Sequence, residues 1–372
     1  MAGPARILIV GGGIAGLGLL TALQQRGFQP ELIDRERHRQ PIGAGIAVQP
    51  NALRVLRKLG LGAAVERAGA VIRRWQFRDQ HGEVLCDIPL EPLWREVGPF
   101  IGIERARLHE VLHSGDFLER LGTWIIALTQ DKHRVQVSFN DGSTGRYDFV
   151  VGADGLHSGT RRLAFGPHEP IYGGQMVWRS LSPLHLPEPD SIQFWLGDGC
   201  FFGLCPVGSG TYGFANVTEA RRHDEVEGRL VRLRARFAAF GAAVQGFLTS
   251  LERDDQIHCG PVEWVEAEQW CRGRVALIGD AAHASSPMMG QGGSMALEDA
   301  MVLAECLQAA PEIEVALSTF VARRKVRVNW VRQQSLAVGE MLRLPPVVRN
   351  AALRQRGQLA FYDRFQQLTS PP

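Results

Sequence analysis

The chain has 372 residues, 45% of them hydrophobic and 22% charged, which fits a globular protein of about two domains and excludes a disordered chain, a collagen-like repeat or a membrane bundle. Lysine and arginine total 41 against 39 acidic residues, a formal charge of +2, so no strong net field points to nucleic acid or an anionic lipid surface. The cysteines, at positions 86, 200, 205, 259, 271 and 306, form no close CxxC pair; their scatter suits free thiols in a reducing compartment, and no metal site is expected.

Residues 6–10 (RILIV) read as a buried strand. Glycines follow at once, so no secretory leader is read here, and no apolar run is long enough to span a bilayer. The expected location is cytoplasmic. A helical stretch runs to Gln25, with Gly27 placed as a C-cap glycine, and residues 31–34 form a second strand. Strand, glycine turn, helix and strand open a parallel α/β sheet with a right-handed crossover.

Residues 51–61 and 105–112 read as helices, with short strands and prolines between 71 and 99. Residues 124–151 alternate as strands do, with a turn at Asn140-Asp141-Gly142. From about 165 to 262 the texture is β-rich and predicts a mostly antiparallel second sheet with one helix at 225–240. Residues 274–278 (RVALI) return to the parallel style, followed by a loop, a long helical region to about 342 and one further surface helix. The basic cluster Arg323, Arg324, Lys325 and Arg327 reads as a solvated helix face. The first domain is thus expected to be discontinuous (1–72, 99–164 and 262–342), with 73–98 and 165–261 forming the inserted domain and 343–372 a C-terminal helix.

Three motifs carry chemistry. Gly11, Gly13 and Gly16 form GxGxxG between a strand and a helix. The first glycine permits the turn, the second lets a pyrophosphate approach the backbone, and the third allows helix to pack on strand. Asp34 ends the second strand where an acid can accept hydrogen bonds from a ribose. Gly208, Gly210 and Gly213 repeat the spacing without a following helix or acid, and read as a hairpin turn. The second motif ends a buried strand in Gly152-Ala153-Asp154-Gly155; the residues alone read equally as a ligand-facing strand end or an ordinary Asp-Gly turn. The third, residues 273–299, ends a strand at Gly279-Asp280 and continues through Pro287, Gly290, Gly292 and Gly293 into a helix. Such a helix start offers N–H groups to an electron-rich ring.

In this order the three motifs resemble the single-component flavoprotein aromatic monooxygenases, the group of para-hydroxybenzoate, salicylate, 6-hydroxynicotinate and FAD-dependent urate hydroxylases. Gly43-Ala44-Gly45-Ile46 with Pro50-Asn51-Ala52 is similar to that family's flavin-approach segment, and Arg105 with Leu108 and Leu112 to its cofactor-contacting arginine helix. The resemblance implies an α/β fold, a Rossmann-like FAD-binding domain with an inserted antiparallel sheet. It implies that Gly11, Gly13, Ile14, Ala15 and Gly16 cradle the FAD pyrophosphate, Asp34 holds the ribose and Arg35 lies beside the adenine. Asp154 and Gly155 match the family's DG element, and Gly279 and Asp280 its ribityl and pyrophosphate side. Pro287, Gly290, Gln291, Gly292 and Gly293 would border the isoalloxazine; Ser294 stands where many members carry asparagine.

The implied reaction uses NADH or NADPH to reduce the flavin, then O2 to form a C4a-hydroperoxide that hydroxylates or epoxidises a small ring substrate. Implied partners are that substrate and O2, with no nucleic acid and no membrane, in a monomer or homodimer. The rival readings are FAD as a scaffold without redox turnover, and a dehydrogenase or oxidase on the same fold. For the substrate wall the candidates are Arg179 beside Trp178, Phe201, Phe202, Pro287, Met288 and Met289, with Tyr172 and Tyr212 as phenol partners. His283 reads as a structural hydrogen-bonding residue rather than a catalytic base.

Overall fold

The computed structural model describes residues 5–38, 44–115 and 117–372; Gly43 of the flavin-approach segment lies outside them. The branched run Ile7–Val10 sits at the heart of a six-stranded sheet. Glu31–Asp34 and Phe149–Gly152 flank it in parallel. Glu119–Leu121 and Val275–Leu277 extend the parallel array, and the antiparallel Cys271–Arg272 closes one edge. Side chains alternate between the faces of a strand. Ile7 and Ile9 join a core with helix residues such as Leu17 and Leu20, whereas Leu8 and Val10 join one beneath a three-stranded meander. The meander is Ile125–Gln130, Val135–Phe139 and Thr144–Tyr147. Burial on both faces explains why these strands read as unbroken apolar runs.

On the helical side, Ile14–Gln24 packs against Gly292–Ala309. Gly18 permits the close approach: a methyl group there would lie 3.0 Å from Leu297 Cδ2 and 3.4 Å from Ala300 Cβ.

A seven-stranded sheet forms the second body. Its order is Ile257–Trp264, Ile171–Ser182, Gly210–Thr218, Cys200–Val207, Ser191–Leu196, Arg74–Asp79 and Val84–Pro89. Every pairing is antiparallel except that of Ser191–Leu196 with Arg74–Asp79. Helices Arg229–Arg236 and Ala242–Thr249 cover one face through Trp178, Phe202, Phe237 and Phe247. These replace the single helix expected at 225–240: Gly228, at φ +70°, delays the first, and Gly241 separates it from the second. The second GxGxxG match is the hairpin turn between Cys200–Val207 and Gly210–Thr218.

A small antiparallel sheet, Gly45–Val48, Phe100–Glu104 and Ala70–Ile72, joins the two bodies. Gly102 on its middle strand abuts the Pro206 carbonyl so closely that no side chain would fit. The chain ends in Ile313–Arg343, about 46 Å long at 1.5 Å per residue, and Pro346–Phe365. Pro345 and Pro346 lack the N–H donors needed to continue the first helix, and Pro346 suits the first turn of the second. The last helix lies on the surface as expected, and its inner face, with Arg349, Leu353, Phe361 and Phe365 buried, packs on Val84–Pro89 and walls a cavity.

Candidate active site

The three N-terminal glycines meet three different demands. Gly11 has φ +109°, and a methyl there would meet the Ala153 carbonyl oxygen at 2.5 Å. A methyl at Gly16 would overlap the Gly11 carbonyl oxygen, so its absence lets the helix close on the strand. At Gly13 nothing lies within 4 Å. A bare backbone at the N-terminus of Ile14–Gln24, where Ile14 and Ala15 present unpaired N–H groups, is the arrangement a pyrophosphate needs. Asp34 accepts from Gly12 N at 2.6 Å and Glu36 N at 2.8 Å, bracing this loop. Arg35 is exposed and pairs with Glu36 at 3.6 Å.

The next two strand ends converge on the same place. The Asp154 carboxylate accepts from Ser158 Oγ and, at 2.9 Å each, from Thr160 N and Oγ1. It therefore holds the entry to helix Gly159–Phe165. Gly155, at φ +78°, has open space where a side chain would be. Buried Arg161 donates to the Leu156 carbonyl at 2.7 Å and the Ala281 carbonyl at 2.8 Å, tying the second motif to the third. Gly279, at φ +58°, wedges between Ala15 and Ala296, whose Cβ atoms would lie 3.0 and 3.2 Å from a methyl at this position. Asp280 is exposed, with Oδ1 3.9 Å from where a Gly292 Cβ would stand. A Gly293 Cβ would lie 3.2 Å from Ile46 Cδ1 and 3.6 Å from Ile14 Cδ1. Gly45 and Ile46, the phosphate loop, the Gly279-Asp280 strand end and the glycines at 290–293 thus share one groove.

A buried polar network holds the loop Pro287–Met289 and Gly290 in place. Gln49 Nε2 donates to the carbonyls of Met289 at 2.7 Å and Gly290 at 3.2 Å. Gln291 Nε2 donates to Gln49 Oε1 at 2.6 Å, and Asn51 Nδ2 reaches Gln291 Oε1 and Glu298 Oε1, both at 3.0 Å. Glu298 pairs with Arg324 at 2.6 Å and Arg327 at 2.8 Å. Asp299 takes Arg324 Nε at 2.7 Å, Gly279 N at 2.9 Å and His283 Nε2 at 2.5 Å. Burial alone would raise the Asp299 carboxyl, but His283 and Arg324 beside it prevail and hold it at about 2. His283 is thus tied to Asp299 within this network.

This network corrects one expectation: Arg324, read as part of a solvated face, has a fully buried side chain. Gln291, expected to border the flavin, turns its buried side chain into the network, which leaves any contact with the ring to its backbone. The overlooked signal was Glu298-Asp299, an acidic pair inside the otherwise apolar run SMALEDAMVLA. Ser294 Oγ is buried with no hydrogen-bond partner among the described residues.

A cavity of about 530 Å³ opens beside the groove, between Gly45, the 287–293 loop, the uncovered face of the seven-stranded sheet and the last helix. Strand alternation decides which residues reach it. Arg179 does, while Trp178 packs among the helices behind; Phe201 does, while Phe202 packs behind. Met288 and Met289 both line the wall, Met289 from an almost fully buried position. Arg105 and Tyr212 also line the cavity, whereas Tyr172 donates to the Glu219 carbonyl at 2.7 Å and does not. Half-buried Arg179 has no carboxylate partner among the described residues. Burial raises the Tyr212 phenol, and the charge of nearby Arg179 opposes the shift. Burial and then the Arg179 charge lower His258. Trp75, Phe77, Phe194, Phe214 and His258 were not anticipated; the alternation in RWQFRD at 74–79 was the available signal for the first two. Among the described residues no His, Cys, Asp and Glu cluster could hold a metal, and no helix is long and apolar enough to cross a membrane.

A parallel nucleotide-binding body, an added antiparallel sheet and one groove between them define a flavoprotein of the para-hydroxybenzoate hydroxylase architecture. Residues 5–335 match FAD_binding_3, described as an FAD binding domain, and the chain belongs to this family of single-component FAD-dependent monooxygenases. It is 34% identical to the aurachin C monooxygenase/isomerase of Stigmatella aurantiaca, covering 90% of this chain and 89% of that one. It is 32% identical to the FAD-dependent urate hydroxylase of Klebsiella pneumoniae, covering 87% of each. Klebsiella pneumoniae HpxO, solved with FAD and uric acid, superposes with a TM-score of 0.90 at 27% identity, covering 99% of this chain and 97% of that one.

Proposed function

We propose that this monooxygenase uses NADH or NADPH and O2 to hydroxylate or epoxidise a flat aromatic or heteroaromatic ring. The observation that carries this reading is the apolar cavity, which opens onto the same glycine loop, 290–293, that ends the cofactor groove. The residues fit FAD: bare backbone at Gly13 and Gly155, an exposed carboxylate at Asp280 and an unpaired hydroxyl at Ser294. In this reading Gly11, Gly13, Ile14, Ala15 and Gly16 hold the pyrophosphate, Asp34 the ribose and Asp280 a ribityl hydroxyl. Asp154 acts by shaping its turn, and Gly155 by leaving backbone uncovered. Pro287, Gly290, Gly292 and Gly293 border the ring, with Gly45, Ile46 and Arg105 on the approach side. FAD supplies the electron transfer and oxygen activation when bound.

The chain's own residues do the remaining work. Arg179 and Tyr212 orient a polar group of the substrate, and Met288 packs on its ring. The apolar walls exclude water from the reacting centre. With one dinucleotide fingerprint in use, the nicotinamide must approach from the open side of the groove. Names of the relatives favour ring substrates: one acts on urate, another on 3-amino-4-hydroxybenzoate. A cytoplasmic monomer or homodimer is the accompanying expectation.

The test is NAD(P)H oxidation by the purified yellow protein under labelled O2, with and without phenols, aromatic acids, purines and quinolones. Substrate should speed oxidation and yield product carrying one labelled oxygen. Oxidation that yields only peroxide would favour an oxidase, and none at all would favour FAD as a scaffold.

A further inference from the structure

Beyond the loop at 287–293 the cavity continues along the seven-stranded sheet as far as Trp75 and Phe361. Its polar end lies on neighbouring strands, with His258 opposite Arg179 and Tyr212 one strand further on. Gly45, in the segment that approaches the cofactor, lies directly against the Tyr212 ring, so ring chemistry belongs at this end. From Tyr212 the uncovered sheet face continues across three strand spacings to Trp75, about 14 Å at roughly 4.8 Å each. Aromatic rings pave this stretch. Tyr212 stacks on Phe214 at 5.2 Å, Phe214 meets Phe194 at 5.5 Å, and Phe194 stacks on Trp75 at 4.8 Å. The last helix closes the far end with Phe361, in ring contact with Trp75 at 5.3 Å, and lines the cavity with the small residues Ala352 and Ala360.

The two ends therefore ask for different chemistry. An arginine with no carboxylate partner among the described residues, beside a tyrosine, binds an oxygen-bearing or anionic ring. A channel paved with rings binds hydrocarbon, because every methylene placed there leaves water.

We propose that the substrate is amphiphilic: an oxygen-bearing aromatic or heteroaromatic ring held at Arg179 and Tyr212, carrying an aliphatic chain that lies along Phe214, Phe194 and Trp75 beneath the last helix. The proposal rests on the ring-oxygenating reading of the same site and adds the tail. A ring system takes about half of the ~14 Å, leaving room for roughly five or six methylenes.

The test measures binding separately from turnover. The yellow holoprotein is titrated with 4(1H)-quinolones bearing 2-alkyl chains of zero to ten carbons, followed by perturbation of the flavin absorbance. Affinity should rise roughly three- to fourfold per methylene and level off once the channel is full. Ala360→Trp, which fills the channel, should abolish that rise, and Arg179→Met should weaken every member of the series by a similar factor. Affinity independent of chain length, failure of the whole series to bind, or an unaltered rise in Ala360→Trp would each overturn the proposal. Product analysis on the same samples tells the two readings apart. Tight binding of long chains without oxygenated product leaves the channel standing and defeats the monooxygenase reading. Oxygenation of the bare ring with no chain effect does the reverse.

Discussion

The glycines of the phosphate loop are equivalent in the sequence pattern and unequal in space. A valine at Gly13 would meet only the open groove, so Gly13→Val should fold with an ordinary melting temperature yet lose FAD affinity at least about tenfold, the loss of one charge-assisted contact. Gly16→Val would collide with the Gly11 backbone and should lower the yield of folded protein itself. Equal behaviour of the two variants in thermal melts and FAD titrations would contradict this division. Asp280 is exposed at the groove, and Asp280→Ala should weaken FAD retention about ten- to hundredfold, measured by equilibrium dialysis; unchanged retention would refute the contact. At this scale the sequence was most legible where a motif lies within a few consecutive residues. It was least legible at Gln49, Asn51, Glu298 and Arg324, whose partners are set by distant packing.

Single elements inherit this contrast. The helix Arg105–Leu112 and the strand Ile7–Val10 follow directly from local periodicity, because one packing environment covers each whole segment. The helix Ile313–Arg343 was readable in extent but not in orientation, since a guanidinium buried at Arg324 has the same sequence pattern as a solvated one. Arg324→Met removes a cation that two buried carboxylates share. It should cost about 3–5 kcal/mol and appear as a lower denaturant midpoint. Loss of below about 1 kcal/mol would mean that Arg327 and His283 suffice.

The same pair sets an acid limit. The Asp299 carboxyl titrates lower in the folded chain than the ordinary carboxylate value of 3.8, so its contribution is complete above that range and disappears as pH falls towards about 2. Asp299→Asn should melt lower than the wild type at neutral pH, and the gap should shrink below about pH 4. A gap independent of pH would count against the assignment.

Across the whole molecule, the last helix is a wall rather than an appendage. A chain ending after Arg343 should uncover Trp75, Phe194 and Leu85 and bind a hydrophobic dye strongly, while keeping the FAD groove, which lies in the other body. Loss of bound flavin together with the dye signal would show that the two are one cooperative unit. No local signal in residues 343–372 marked this duty, because the surface they cover is made by strands almost three hundred residues earlier and by others near the chain's middle.

Gly279 fits between Ala15 and Ala296, and the N-terminal helix rests on Gly292–Ala309. On the ribosome, the phosphate loop emerges well before its packing partners. At about 5–20 residues per second, the exposed apolar flank of Ile14–Gln24 waits on the order of tens of seconds for them. Stalled nascent chains that stop before residue 292 should carry no flavin and should be held by chaperones, whereas release of the complete chain should permit capture of the cofactor at once.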